Sequence, residues 1–175
     1  MGQGTTSRTS TVPFDDGLAA SHRSLWWRRG VLAVLTLFVL LALTQQLGVR
    51  TDTVEGSSGD LHVALRYADR ARGALAAPFA IDVEHPDGFA GPIEVRTDQG
   101  YLAIFDDNGF EPDPASMTTE DGDVVWVFDP PPGDDLTIVL DARVEPGVFG
   151  REDGHTTVTA EGETVRLDYT TWVAP

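Results

Sequence analysis

Leu136-Thr137-Ile138-Val139-Leu140-Asp141-Ala142-Arg143-Val144 decides the fold class. Apolar residues recur at every second position, with Thr137, Asp141 and Arg143 between them. Successive side chains of a strand point to opposite faces, so this period of two describes a β-strand with one covered face and one wet face. The same period recurs on both sides of it. Leu61, Val63, Leu65 and Tyr67 alternate with His62, Ala64 and Arg66. Phe79, Ile81, Val83 and His85 alternate with Ala80, Asp82 and Glu84, and Ile93 and Val95 alternate with Glu94 and Arg96. Val165, Leu167 and Tyr169 alternate with Arg166, Asp168 and Thr170.

Turn chemistry separates these segments. Pro86-Asp87-Gly88, Asp106-Asp107-Asn108-Gly109, Pro130 to Asp135 and Pro146-Gly147 each supply residues that bend the chain cheaply. Glu161-Gly162 reads as a hairpin turn whose glycine takes a positive φ. About eight short strands joined in this way predict an all-β domain, an antiparallel β-sandwich over residues 61–175. Asp69 to Ala77 is the one stretch of this region with room for a short helix.

Upstream the pattern changes. Val31 to Leu43 is apolar apart from Thr36, and Leu47 and Val49 extend the run past two glutamines. Twenty helical residues span about 30 Å, the thickness of a bilayer's hydrocarbon layer. Trp26 and Trp27 stand where an aromatic belt would lie, with Arg28 and Arg29 beside them. The expectation is a single transmembrane α-helix over 25–49, before it a disordered cytoplasmic tail (1–24), and after it a flexible linker (50–60). Arg23, Arg28 and Arg29 precede the run, whereas Arg50, Asp52 and Glu55 follow it. The positive-inside rule then puts the N-terminus in the cytoplasm and the β-domain outside the cell membrane. A cleaved signal peptide is the competing reading; a leader of 29 residues before the apolar run is long for one.

Charge divides along the same line. Residues 1–29 carry four Arg and two Asp, while residues 50–175 carry eight Arg and 26 acids, a net of −18. Such a domain repels phosphate backbones, which argues against nucleic acid as a partner. There is no Cys, so disulfides, thiolate catalysis and Cys-bound zinc are excluded.

No catalytic constellation stands out, and the expectation is a protein that is not an enzyme and needs no cofactor. Ser116 is the one serine in the region 61–175, and no Gly-x-Ser-x-Gly elbow exists. His62, His85 and His155 fall on separate strands or strand ends, with no ligand spacing among them. Calcium takes six to eight oxygens, and Asp106, Asn108, Glu111 and Asp113 crowd one segment, although the EF-hand spacing is absent. Those four are the weak calcium candidates. Two stretches, Tyr101 to Phe105 and Val124 to Phe128, break the alternation, so neighbouring apolar residues point to opposite faces. Such strands are either covered on both sides or present an apolar face to a partner. Leu102, Ile104, Val125 and Val127 are therefore interface candidates, together with Trp172, which falls out of phase with Tyr169.

Leu65-Arg66-Tyr67, Ala71-Arg72-Gly73 and Ala77-Pro78-Phe79 followed by an alternating strand resemble the opening of bacterial immunoglobulin-like domains. Pro130-Pro131-Pro132-Gly133-Asp134-Asp135-Leu136, Leu140-Asp141-Ala142-Arg143 and Asp168-Tyr169-Thr170-Thr171-Trp172-Val173 strengthen the likeness. Over residues 25–175 the chain resembles small actinobacterial single-pass membrane proteins with one extracytoplasmic immunoglobulin-like domain. The resemblance implies an immunoglobulin-like sandwich, brings no catalytic residues, and implies a membrane protein as partner. The functional expectation is a membrane-anchored domain that binds or accompanies another membrane or envelope protein. The alternative is an acidic calcium-binding or salt-adapted structural module of the cell envelope.

Overall fold

The computed structural model describes residues 16–43 and 48–175, apart from the side chains of 16–25, 41–43, 107 and 108. The chain divides into two units, Met1–Thr44 and Gln45–Pro175. The first unit holds one helix, α1 (Asp16–Leu43). Residues 1–15 of the expected tail lie outside the described residues. Residues 16–24 do not form a tail but open the helix: Leu18, Ala19 and Ala20 are strong helix formers, and propagation of a helix needs no apolar period. Every described side chain from Trp26 to Leu40 is exposed. Residues 44–47, near the far end of the expected span, lie outside the described residues. Among the described residues no helix is long and apolar enough to cross a membrane.

The second unit is all-β. Its strands are β1 (Arg50–Ser58), β2 (Leu61–Arg72), β3 (Ala76–Glu84), β4 (Ile93–Asp98), β5 (Phe105–Glu111), β6 (Ser116–Glu120), β7 (Asp123–Phe128), β8 (Asp135–Val144), β9 (Gly150–Ala160) and β10 (Glu163–Ala174). One helical turn, α2 (Gln99–Leu102), lies between β4 and β5. The strands form one continuous path, β5-β8-β3-β2-β10-β9-β4-β7-β6, with β1 paired to β2 beside it. All pairings are antiparallel except a short parallel one between β10 and β2. The path curls so that its two halves share a core. Phe110 of β5 lies 4.5 Å from Trp126 of β7 by ring centroids, although these strands stand near opposite ends of the path.

Three sequence expectations need correction. Residues 50–60 are not a free linker, because residues 50–58 form β1 against β2, with one register shift between Arg50 and Thr51. Backbone hydrogen bonds do not need apolar side chains, so a polar strand carrying Val54 alone gives no periodic signal. Asp69 to Ala77 forms no helix: it finishes β2, turns, and opens β3, with Ala74 at φ 65°. Tyr101 to Phe105 is not a doubly apolar strand. Asp98 caps α2 by accepting from the Tyr101 N–H at 2.7 Å. The helical turn carries Tyr101 into the core, and Ile104, in the turn that follows, and Phe105, which opens β5, are buried beside it.

Buried hydroxyls bond within the core, and one of these bonds crosses from β10 to β2. Thr171 of β10 donates to the Ala68 carbonyl of β2 at 2.7 Å and accepts from Tyr101 Oη at 2.8 Å. Thr156 bonds to Thr97 at 3.0 Å and to Tyr169 Oη at 2.8 Å. Thr97, Thr156 and Thr171 are wholly buried, and burial raises the pKa of both tyrosines despite these bonds. The Tyr101 and Tyr169 rings meet edge to face at 4.9 Å.

Two outcomes follow from these contacts. Thr171→Val orphans a carbonyl and a phenol together and should cost about 3 kcal/mol, against about 1 kcal/mol for Tyr101→Phe, by urea denaturation. The second concerns Glu161, at φ 51° in the β9–β10 turn. Its carboxylate accepts from the Gly91 N–H at 2.9 Å and the Ala90 N–H at 2.8 Å, which hold its pKa below the ordinary 4.5. A lowered pKa stabilises the fold above the ordinary value, and that contribution is lost as pH falls through the folded one. Glu161→Gln should therefore lower stability at neutral pH and flatten its decline in acid.

Candidate functional site

The site with the most chemistry lies where β7, β4 and β9 run side by side. Asp98 ends β4 and Asp123 opens β7, and their Cα positions are direct cross-strand partners. Like charges directly opposite on a sheet repel, so this pairing asks for a cation. His155 of β9 stands beside both carboxylates. Thr97 pairs with Thr156 across β4 and β9, which brings His155 beside Asp98. Its Nδ1 lies 3.7 Å from Asp98 Oδ2 and its Nε2 lies 3.3 Å from Asp123 Oδ1.

The main chain orients the Asp98 carboxylate and places the backbone of Asp123 and His155. Asp98 Oδ1 is engaged by the α2 cap, which leaves Oδ2 to face the imidazole. The Gln99 N–H donates to the Gly122 carbonyl at 2.9 Å, tying α2 to the turn that leads into Asp123. His155 follows Gly154, where the β9 backbone approaches the two tyrosine rings. A Cβ on Gly154 would stand 2.6 Å from Tyr101 Cγ and 2.9 Å from Tyr169 Cε2. The glycine is thus required by close approach, and the rings beneath it fix the height of His155.

The site opens on one side into a polar groove of about 490 Å³ that Asp98, His155 and Asp168 help to line. Two arginines reach this groove, and each is paired with an aspartate that also lines it: Arg151 with Asp153 at 2.9 Å and Arg166 with Asp168 at 3.1 Å. Thr170 donates to Asp153 at 2.6 Å, and this bond followed by Arg151 holds the Asp153 pKa down. Among the described residues, the His155–Asp98–Asp123 group is the one place where three metal-ligating side chains bring donor atoms within 4.8 Å of one another.

The residues singled out from sequence fall elsewhere. Asp106 and Glu111 lie on β5 and Asp113 beyond it, all three exposed and outside that group, while the Asn108 side chain lies outside the described residues. Acids in one short extended segment point to alternate faces, so crowding in sequence does not become convergence in space. Ile104 and Val125 are buried core residues, and Leu102 and Val127 are half-buried, so neither pair forms an exposed patch. The reasons differ. Ile104 lies in the turn after α2, where its N–H bonds to the Tyr101 carbonyl at 3.3 Å, whereas Val125 sits on β7, which is flanked by β4 and β6. Trp172 is exposed, at 52 %, and in register with Arg70 on β2 and Arg151 on β9. His62 and His85 contribute to a separate shallow groove with Glu84, Asp134 and Asp135.

No protein-family model and no curated relative matches this chain. Among solved structures, the PmoD soluble domain from Methylocystis sp. ATCC 49242 (Rockwell) is similar at 15 % identity and a TM-score of 0.34, over 69 % of this chain and 96 % of that one. The yeast GGA1 GAE domain is similar at 12 % identity and a TM-score of 0.26, over 71 % of this chain and all of that one. Neither likeness is close enough to bring a function with it.

Gly154→Ala tests the support beneath the imidazole. It should destabilise the domain by about 1–3 kcal/mol through overpacking against the tyrosine rings, read by thermal and urea denaturation.

Proposed function

We propose that this chain is a membrane-anchored accessory protein whose extracytoplasmic, immunoglobulin-like β-sandwich binds another membrane or envelope protein and carries no catalysis. The single observation that supports the binding role is Trp172. It stands half-exposed in a cross-strand row that runs Arg50 on β1, Arg70 on β2, Trp172 on β10 and Arg151 on β9. Tryptophan and arginine dominate the energetics of protein interfaces, because each buries a large rigid surface and keeps a polar handle. At the same end Phe149 is 70 % exposed and precedes Gly150, the partner of Val173. Leu75, 42 % exposed, lies in the adjoining β2–β3 turn. An acidic domain with 26 acids and eight arginines that gathers arginine and exposed apolar rings at one end offers a partner a distinct face.

The anchor is supported by the apolar run Val31–Leu43, by the exposure of its described side chains, and by the excess of arginine before it over that after it. In this reading the apolar run from Val31 to Val49, which extends past the described part of α1, spans the cell membrane with the N-terminus in the cytoplasm. The first strand of the domain begins at Arg50, in the row that holds Trp172, so the chain enters the domain at the end offered to the partner. A partner in or near the bilayer is then within reach. The alternative is an acidic calcium-binding or salt-adapted module of the cell envelope; Asp106, Glu111 and Asp113 lie outside the one group of converging metal-ligating side chains among the described residues.

Photo-crosslinking in native membranes tests the binding face. A benzophenone side chain in place of Trp172 should yield one discrete adduct to a membrane or envelope protein. The same group in place of Met117, exposed on edge strand β6, should yield none. No adduct from position 172, or equal labelling from both positions, contradicts the proposal.

A further inference from the structure

The geometry points to a binding site for a first-row divalent transition ion, with Zn²⁺ as the representative, held by Asp98, Asp123 and His155. This inference stands apart from the partner-binding face: the three ligands lie on β4, β7 and β9, whereas Trp172 lies on β10.

Two facing aspartates set the problem. Asp98 and Asp123 are cross-strand partners at the ends of β4 and β7, and no arginine among the described residues is ion-paired with either. His155 stands against both, and its two ring nitrogens face different carboxylates. A neutral imidazole has one N–H and one lone pair, so it donates to one carboxylate and turns a lone pair toward the other. A divalent cation removes that conflict, because it accepts the imidazole lone pair and neutralises both carboxylates.

The donor set selects the ion. Calcium takes six to eight oxygens, and this site brings two carboxylates and a nitrogen. An imidazole with carboxylates suits zinc and its neighbours, with water in the remaining positions. Spacing agrees: two bonds of about 2.1 Å meeting at a tetrahedral angle put their donor atoms about 3.4 Å apart. His155 Nε2 and Asp123 Oδ1 are 3.3 Å apart, and all three donors fall within 4.8 Å. The three ligand side chains are only 21–34 % exposed, so an ion enters from the groove while the strands keep the ligands in place. Asp98 is further oriented by the Tyr101 N–H, the kind of outer hydrogen bond that fixes a metal-ligating carboxylate. An ion bound here ties β7, β4 and β9 together at one end of the sheet.

Calorimetry and thermal melting on the full chain, stripped with EDTA, test this. Zn²⁺ should bind one saturable site and raise the melting temperature by on the order of 10 °C at a hundredfold excess over Kd. CaCl₂ at matched ionic strength should leave it unchanged. Asp98→Asn keeps the α2 cap while removing the charge, and it, Asp123→Asn and His155→Gln should each weaken Zn²⁺ at least tenfold. Co²⁺ should give visible d–d bands in the wild type that Asp123→Asn abolishes. Zn²⁺ binding that is unaltered in all three variants, weak association without saturation, or a stabilisation that Ca²⁺ reproduces would each overturn the site, leaving an ion-paired imidazole only. If His155→Gln does not fold, Zn²⁺-induced shifts of the His155 ring resonances in the wild type decide the matter, and their absence refutes the inference.

Discussion

The short parallel pairing of β10 with β2 holds the rest of the structure together. Trp172, Val173 and Ala174 lie against Arg70, Ala71 and Arg72, and just before them Thr171 donates to the Ala68 carbonyl. Along the path, this joint separates β5, β8, β3 and β2 from β10, β9, β4, β7 and β6. Remove it and two antiparallel groups remain, each with one apolar face and a newly exposed edge. Neither group can cover that face alone, so closure of the path and formation of the core are one event. The aromatic contacts follow from closure. Tyr169 reaches Tyr67 at 5.2 Å and Phe79 at 6.2 Å, residues that belong to the other group.

Both functional surfaces derive from β10 and its neighbours. The strand turns Val165, Leu167, Tyr169, Thr171 and Val173 inward, so Arg166, Asp168, Thr170 and Trp172 face out. In register with this outer row, β9 presents His155 beside Asp168 and Arg151 beside Trp172. One pleat thus sets the metal-ligating histidine and the exposed tryptophan at two places on the same sheet, and one register slip would bury both.

Much of the fold was legible in the sequence because burial writes a period of two into strands with one wet face. β8 carries that signal most cleanly, and its burial alternates without exception from Asp135 to Val144. Where burial is weak or the backbone changes type, the signal fails. β1 is mostly polar and exposed, and its place comes from backbone pairing with β2 rather than from side chains. Asp98, three residues before Tyr101, was a readable capping residue for the short helical turn α2. The site was the least legible part. Asp98, Asp123 and His155 are separated by 25 and 32 positions, and only the β7-β4-β9 order brings them together. Acids crowded in sequence, from Asp106 to Asp113, drew attention instead, although a strand disperses its side chains to both faces.

Native-state hydrogen exchange resolved by residue measures the central claim directly. The amides of Ala68 to Arg72 and Thr171 to Ala174 that bond across the joint should exchange through the same global opening as the centre of β3 and β8, with the same free energy. Exchange of the β10 end at a markedly lower free energy, while β3 and β8 stay protected, would show that the halves hold together without it and would contradict the account.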